Sequence, residues 1–352
     1  MPAKHSAHES RATRAIARIE TAVRETLHGR RCVLLAISGG IDSMVLLDAA
    51  ARAIADRGTG GARLEVATFD HGTGVHSRRA ARLVAQTADG LGLTCTAGAI
   101  GADTGAPAAT KHKPGTEAYW REARWRFLRS LAAGSDAPIA TAHTRDDQIE
   151  TVAMRILRGA GARGLAGLHA GSGILRPLLD ISRSEIETYA ILRSVAYAGD
   201  PSNRSRKHFR NRVRLDLLPA VRRVRPGFDD ELLAIAAKAR DCRRRVEQLA
   251  GRIQVERGTN GELHVATAAL SAYSRAELQA LWPALAATAG VTLDRRGTTR
   301  CAAFTRTSTT RQRMQISGGW EVVRDRHWLT LRRSGEAGEG TARHVYRDCA
   351  RT

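Results

Sequence analysis

The spacing of apolar residues changes period repeatedly along the chain. CVLLAI at 32–37 is an unbroken apolar run, short enough for a strand buried on both faces. Residues 43–56 then place Met, Val, Leu and Ala at helical spacing. The alternation continues with strands at 63–69, 94–100 and 138–143 and helices at 77–91, 116–132 and 146–158; an amphipathic helix at 11–27 precedes them. Repeated strand–helix units predict a parallel sheet with helices on both faces and ligands beyond the carboxyl ends of the strands. Gly39-Gly40, Asp70-His71-Gly72 and Thr141-Ala142-His143 all fall at such ends. The Gly- and Pro-rich stretch 101–115 reads as a mobile loop.

After Arg158 the pattern loosens. Helices at 182–196 and 209–218 flank a basic loop, Pro226-Gly227 marks a boundary, and 228–255 reads as one long helix with an arginine-rich middle. A strand near 263–266, a helix at 275–289 and two or three strands between 314 and 331 follow. The expected organisation is an α/β unit at 1–225, a linker helix at 226–256, a small α+β unit at 257–333 and a disordered tail at 334–352.

Charge sharpens this picture. The formal net charge is +21, and only 5 of the 56 basic residues are lysine. Genome composition accounts for arginine over lysine but not for base over acid; a field this positive favours a polyanion, nucleic acid first. No apolar run could span a bilayer, and MPAKHSAHESRATR has no apolar signal core, so the reading is cytoplasmic with no membrane. Five scattered cysteines with no CxxC suggest neither a disulfide framework nor a zinc site.

The chemistry begins at LLAISGGIDS. A glycine turn between strand and helix offers backbone N–H groups to an anion at a positive helix end. The stretch has no lysine, so it is not a Walker A loop, and Asp42 sets a carboxylate beside the cradle. Two anions side by side suit a Mg²⁺ ion between them; locally, a tight turn with a capping aspartate is the alternative. SGGIDS resembles the PP-loop of the N-type ATP pyrophosphatases. That resemblance implies ATP and pyrophosphate on Ser38, Gly39, Gly40, Ile41, Asp42 and Ser43, with Asp70 and His71 beside them, Asp42 on the metal, and a Rossmann-like fold of the adenine nucleotide α-hydrolase type. It also answers why lysine is missing: the two phosphates leave together, so no γ-phosphate lysine is required.

A second segment, TAHTRDDQIETVAMRILRGAGARGL, puts Asp146, Asp147 and Glu150 on one side of a helix. Ile149, Val152, Ala153 and Ile156 make its buried stripe, and His143 stands just before. Such a group suits an ammonium or a metal; an acidic first turn complementing the helix dipole is the alternative. The segment is similar to the TAHHxDDQxET…RGxGxxGL signature of tRNA(Ile)-lysidine synthases. TEAYWREARWRFL, LRPLLD, FDHG and DPSNRSRKHFRNRVRLDLLP resemble further motifs of that family, across residues 30–220. Two positions depart from it: Thr144 replaces a histidine, and Thr73-Gly74 replaces Leu-Arg.

The resemblance implies that ATP adenylates the wobble cytidine of an isoleucine tRNA with CAU anticodon. The ε-amine of L-lysine then displaces AMP. His143, Asp147 and Glu150 would bind lysine; with Asp42, Arg210 and Arg214 they would form the catalytic set. Arg121, Arg124, Arg206, Lys207 and Asn211 would meet tRNA or AMP phosphate, although Arg121 and Arg124 also read as a solvated basic face. Phe209 fits the core better than base stacking. The oligomeric state is not encoded, which leaves a homodimer open. The rival readings are another PP-loop tRNA enzyme such as a thiolase, against which the missing CxxC counts, and a non-catalytic RNA-binding relative.

Overall fold

In a computed structural model the chain is described at residues 3–56, 61–72, 74–100, 113, 115–169, 173–199, 205–258 and 261–335. Most of the 101–115 loop and of the tail beyond 334 lies outside these residues. The chain divides into two compact units, Met1–Gly159 with Gly167–Ala236, and Ala160–Ala166 with Ala237–Thr352.

The first unit opens with helix α1 (Ala3–Leu27). Then β1 (Cys32–Ala36), α2 (Ile41–Ala55), β2 (Arg63–Asp70), α3 (Val75–Gly90), β3 (Thr94–Ala99), α4 (Glu117–Ser135), β4 (Ile139–Thr141) and α5 (Arg145–Leu157) alternate. The strands pair in parallel in the order β3-β2-β1-β4. The crossover from β1 outward on both sides leaves the β1 end as the switch point where an α/β sheet takes its ligand. Val33 and Leu35 pack in one core with Val45, Leu46 and Val66, while Leu34 packs on the other face with Phe127 and Ile139. Burial on both faces is why the strand reads as an unbroken apolar run. The Leu175 backbone extends the sheet: its N–H donates to Ile139 O (2.8 Å), and its carbonyl accepts from Thr141 N (2.9 Å).

Gly39 fixes the turn after β1. Its φ is +87°, and a Cβ there would lie 2.9 Å from Ala80 Cβ and 3.0 Å from the Ala80 carbonyl oxygen. Only glycine fits both the left-handed backbone and the contact with α3. Ala198 N donates to Gly39 O at 2.8 Å from the other side.

A one-turn α6 (Ala162–Leu165) and a 3-10 turn at Gly167–His169 follow α5. Helix α7 (Arg183–Leu192) begins at a Ser182–Glu185 capping box. The expected helix at 209–218 continues further, as α8 (Phe209–Arg212), a π turn (Val213–Leu217) and α9 (Leu218–Val224). The wide turn resets the hydrogen-bond ladder, so Pro219 falls in the first turn of α9, where its missing N–H is tolerated. Helix α10 (Phe228–Ala250) ends before Gly251 rather than running to 255, and the division between the units falls inside it. Ile149, Val152 and Ala153 of α5 pack against Val213, Leu218, Leu232 and Ala236. Ile156 is 43% exposed, contrary to the expected stripe, because the apolar cluster stops one turn earlier.

The second unit holds β5 (Val255–Arg257), β6 (Leu263–Ala266), α11 (Thr267–Ser271), α12 (Arg275–Thr288), α13 (Arg295–Thr307), β7 (Arg313–Ile316), β8 (Trp320–Arg324) and β9 (Trp328–Arg333). Its antiparallel sheet has the order β5-β6-β9-β8-β7. Trp282 is fully buried in this core, and its indole N–H donates to Thr305 Oγ1 at 2.8 Å. Sequence periodicity missed α13, whose buried stripe is only Gly297, Cys301, Ala302 and Thr305. It missed β5 as well, which is three residues long.

Gly39→Ala is expected to destabilise the first unit by about 2–4 kcal/mol, since it adds strain at a positive φ to a clash with a backbone carbonyl that cannot rotate away. Gly40→Ala is the control: φ is −74° and the nearest foreign atom is Ser38 Oγ at 3.7 Å, so its cost should stay within about 1 kcal/mol. Urea unfolding midpoints check both.

Candidate active site

The ends of β1, β2 and β4 open into a cleft lined by Ser38, Gly40, Asp42 and Ser43 on one side and by Phe69, His71, Arg124, Trp125, Leu128 and His143 on the others. Ser43 is buried and shapes its loop: its hydroxyl donates to Gly40 O (2.8 Å) and accepts from Ser38 N (3.2 Å). Ile41 opens α2, directing the first N–H groups of that helix at the loop.

Asp42 stands in the first turn of α2. Its Oδ1 is buried without a hydrogen-bond partner, and its Oδ2 lies 3.6 Å from Arg183 Nη1. Burial pushes the carboxyl up to about 6; Arg183 pulls it back, and Asp147 adds to the rise. An orphaned, charge-starved carboxylate oxygen at a phosphate cradle fits a divalent cation. Among the described residues no group of three or more His, Cys, Asp or Glu is arranged to hold a metal.

Of the two residues expected beside the loop, one faces the cleft. His71 lines it, with Nδ1 buried and unpartnered; burial and then Arg124 push its pKa down. Asp70 turns into its own loop instead, where Oδ1 accepts from Gly72 N at 2.9 Å and from the Ser77 hydroxyl. Its work is to hold the DHG turn.

At the β4 end the expected catalytic residues come together. Thr144 is the N-cap of α5 and forms a capping box with Asp147. This gives Thr144, where the resembling family has histidine, a structural role. Asp147 Oδ2 accepts from Thr144 N at 2.9 Å, and Oδ1 accepts from Arg210 Nη2 at 2.6 Å. Arg210 Nε donates to Glu150 Oε2 at 2.6 Å, and Arg214 Nε lies 3.5 Å from Glu150 Oε1. Glu150 is almost fully buried, and burial raises its pKa with Arg210 only partly offsetting it. Burial opposes the charge on Arg210, but Asp147 and then Glu150 outweigh it and hold the guanidinium protonated. The expected acidic hollow is therefore a mixed cluster of two carboxylates and two guanidiniums. Asp146 is turned aside, its Oδ2 accepting from Arg183 N at 2.8 Å.

His143 Nδ1 is 2.8 Å from Thr141 Oγ1. Burial pushes its pKa down to about 4, against Asp147, so the ring is neutral near pH 7. Arg124 faces the cleft, its pKa lowered by burial and by Arg121, whereas Arg121 is exposed and outside the lining. In the basic block Arg206 pairs with Asp216 at 3.0 Å, Lys207 is exposed, and Asn211 Nδ2 donates to Ser205 O at 2.8 Å. Phe209 is partly buried beneath Arg158 and Arg212, whose guanidiniums lie 5.1 and 5.7 Å from its ring centroid.

Spacing alone did not single out Arg183, and it gave Thr141 and Gln148 no partner. Gln148 is fully buried, and its Oε1 accepts from Leu168 N at 2.6 Å. Gly167 has φ +61°, and a Cβ there would lie 2.5 Å from that oxygen. The glutamine of DDQ thus anchors the Gly167–His169 turn to α5.

Several known proteins are similar to this chain in sequence. A tRNA(Ile)-lysidine synthase from Bradyrhizobium sp. (strain BTAi1 / ATCC BAA-1182) is 41% identical over 250 residues, covering 65% of this chain and 66% of its own. One from Solibacter usitatus is 38% identical over 193 residues, covering 54% and 40%. One from Dehalococcoides mccartyi is 32% identical over 265 residues, covering 72% and 54%. The chain thus spans between 40% and 66% of the length of these relatives. Among solved structures, the U34-tRNA thiolase NcsA from Methanococcus maripaludis superposes with a TM-score of 0.52 at 18% identity, over 64% of this chain and 80% of that one, which is a likeness of fold alone. The family model described as PP-loop domain matches residues 10–221, more than half of the chain and inclusive of every cleft residue named above. The glycine turn after β1, Asp42 and the sheet that presents them all fall within that match, and this chain belongs to the PP-loop domain family.

Proposed function

We propose that the protein is a tRNA(Ile)-lysidine synthase. It uses ATP to adenylate the O2 of the wobble cytidine in the CAU-anticodon isoleucine tRNA, releasing pyrophosphate, and then joins the ε-amine of free L-lysine to C2, releasing AMP. The product changes both codon reading, from AUG to AUA, and amino-acid identity. The observation that carries this reading is the cluster of Arg210, Asp147, Glu150 and Arg214, close enough to Asp42 for Asp147 and Arg214 to act on its charge. A nucleotide loop facing paired carboxylates is what adenylation followed by amine attack requires. The names of the relatives support the same choice.

Ser38, Gly39, Gly40, Ile41 and Ser43 hold the departing pyrophosphate through backbone N–H groups and hydroxyls. Asp42 would hold Mg²⁺, which when bound neutralises the developing negative charge on that leaving group. Arg124, half-buried in the cleft, holds the phosphate that remains on the base. Lysine arrives as an ammonium, and Asp147 and Glu150 accept it by sharing charge already committed to Arg210. The amine must lose a proton before it attacks; neutral His143 is placed to accept a hydrogen bond from it. The unit at 237–352 recognises the tRNA, with the arginine-rich middle of α10 contributing. No helix among the described residues is long and apolar enough to cross a membrane, and the reaction belongs where tRNA, ATP and lysine meet, in the cytoplasm.

Incubation with the CAU-anticodon transcript, ATP, Mg²⁺ and labelled lysine should place label in the wobble nucleoside, with AMP and pyrophosphate released in step. Transcript binding with no lysine-dependent AMP release would identify a non-catalytic RNA binder instead.

Asp147→Asn keeps a helix-capping oxygen and loses the charge pair with Arg210. It should raise the KM for lysine by tenfold or more while lowering the adenylation rate less, as read by pyrophosphate release without lysine.

Asp42→Asn should abolish turnover and yet stabilise the ligand-free protein. With a folded pKa near 6 against an ordinary 3.8, the fold favours the neutral carboxyl, so stability is lost as pH rises through that window. At pH 7.5 the variant should gain about 1–3 kcal/mol and near pH 4 almost nothing; thermal melts at the two pH values check this.

A further inference from the structure

The nucleotide loop has no lysine, and a cation from another helix is aimed at its carboxylate. Arg183 is the first residue of α7, and of all charges acting on Asp42 its guanidinium is the strongest. Its Nη1 lies 3.6 Å from Asp42 Oδ2, while its Nε donates to Glu187 Oε1 at 3.1 Å on the same helix. One edge of the fork is therefore held by α7, and the other end reaches to the mouth of the loop.

The base of this side chain is firmly placed. Arg183 N donates to Asp146 Oδ2 at 2.8 Å, which ties the start of α7 to the start of α5. Ile186, Tyr189 and Ala190 are buried in the same core as Met44 and Leu47 of α2. The Tyr189 hydroxyl donates to Asp48 Oδ2 at 2.8 Å, one helical turn beyond the loop. The arm of Arg183 itself is about one-third exposed. Its contact with Asp42 is long for a charged pair and leaves Asp42 Oδ1 unsatisfied, so it is a resting place rather than a completed bridge.

We propose that Arg183 is a pyrophosphate-binding residue. It turns from Asp42 to the β- and γ-phosphates of ATP, where Asp42 would hold a metal ion. The positive charge at the two departing phosphates thereby comes from α7 and not from the loop itself. A planar fork with one edge fixed suits two phosphate oxygens better than a single carboxylate oxygen at 3.6 Å. This rests on the reading of the loop as an ATP site but not on the identity of the acceptor or the amine.

The test compares wild type, Arg183→Gln and Arg183→Lys in calorimetric titrations with ATP, inorganic pyrophosphate and AMP, each in Mg²⁺ and again in EDTA. Arg183→Gln should bind ATP and pyrophosphate at least tenfold more weakly with Mg²⁺ present. Its AMP affinity should stay within twofold, because AMP has no β- or γ-phosphate. Arg183→Lys should recover part of the loss. A second readout needs no ligand: Arg183→Gln should lower the melting temperature at pH 7.5 in wild type but not in an Asp42→Asn background. Unchanged pyrophosphate affinity, or an equal loss for AMP, would overturn the proposal. If lysidine fails to form while the ATP and pyrophosphate differences persist, the substrate reading falls and Arg183 keeps its role; if wild type binds neither ligand, both fall.

Discussion

Both oxygens of Asp147 are committed, and the rest of the site is arranged around that. One oxygen closes the capping box that starts α5 at the mouth of β4; the other grips Arg210. A single side chain thus joins the central sheet to the helical segment that follows the basic block. Arg210 passes the connection to Glu150, and Arg214 flanks the same carboxylate from the other side. Buried carboxylates are tolerable only when their charge is answered, and here it is answered by the guanidiniums of Arg210 and Arg214.

The nucleotide side is built on a different constraint. Main-chain geometry, fixed by Gly39 against Ala80, shapes the loop, so few side chains are needed there. Asp42 is the exception, left with an unsatisfied oxygen and a pKa near 6. Such frustration in the ligand-free state is a common mark of a site kept for chemistry rather than stability. The two halves thus follow opposite strategies: a carboxylate left wanting at the glycine loop, and carboxylates already answered at the mouth of β4.

Much of this was legible in the sequence because the alternation of periods and the motif spacings are local properties. The parallel sheet, the loop after β1 and the grouping of His143, Asp147 and Glu150 at the β4 end all follow from short stretches. What was not legible depends on partners far along the chain. No spacing rule brings Arg183 to Asp42 or turns Arg210 onto Asp147, and nothing local shows that Asp70 serves its own turn. Helix α13 escaped because its buried face is built of small and polar residues. Ile156 misled because periodicity continues past the point where the packing cluster ends.

Gln148 and Gly167 show how one motif can look like two. The glutamine of the acidic stretch and the glycine nineteen residues later occupy a single space, with 2.5 Å between the amide oxygen and any added methyl. The polar head leaves no room for a side chain opposite, and the bare backbone opposite lets the head reach Leu168 N. Any side chain at 167 would have to push that amide head off Leu168 N and would also sit in left-handed backbone at φ +61°, so the glycine serves the turn and the glutamine's anchor at once.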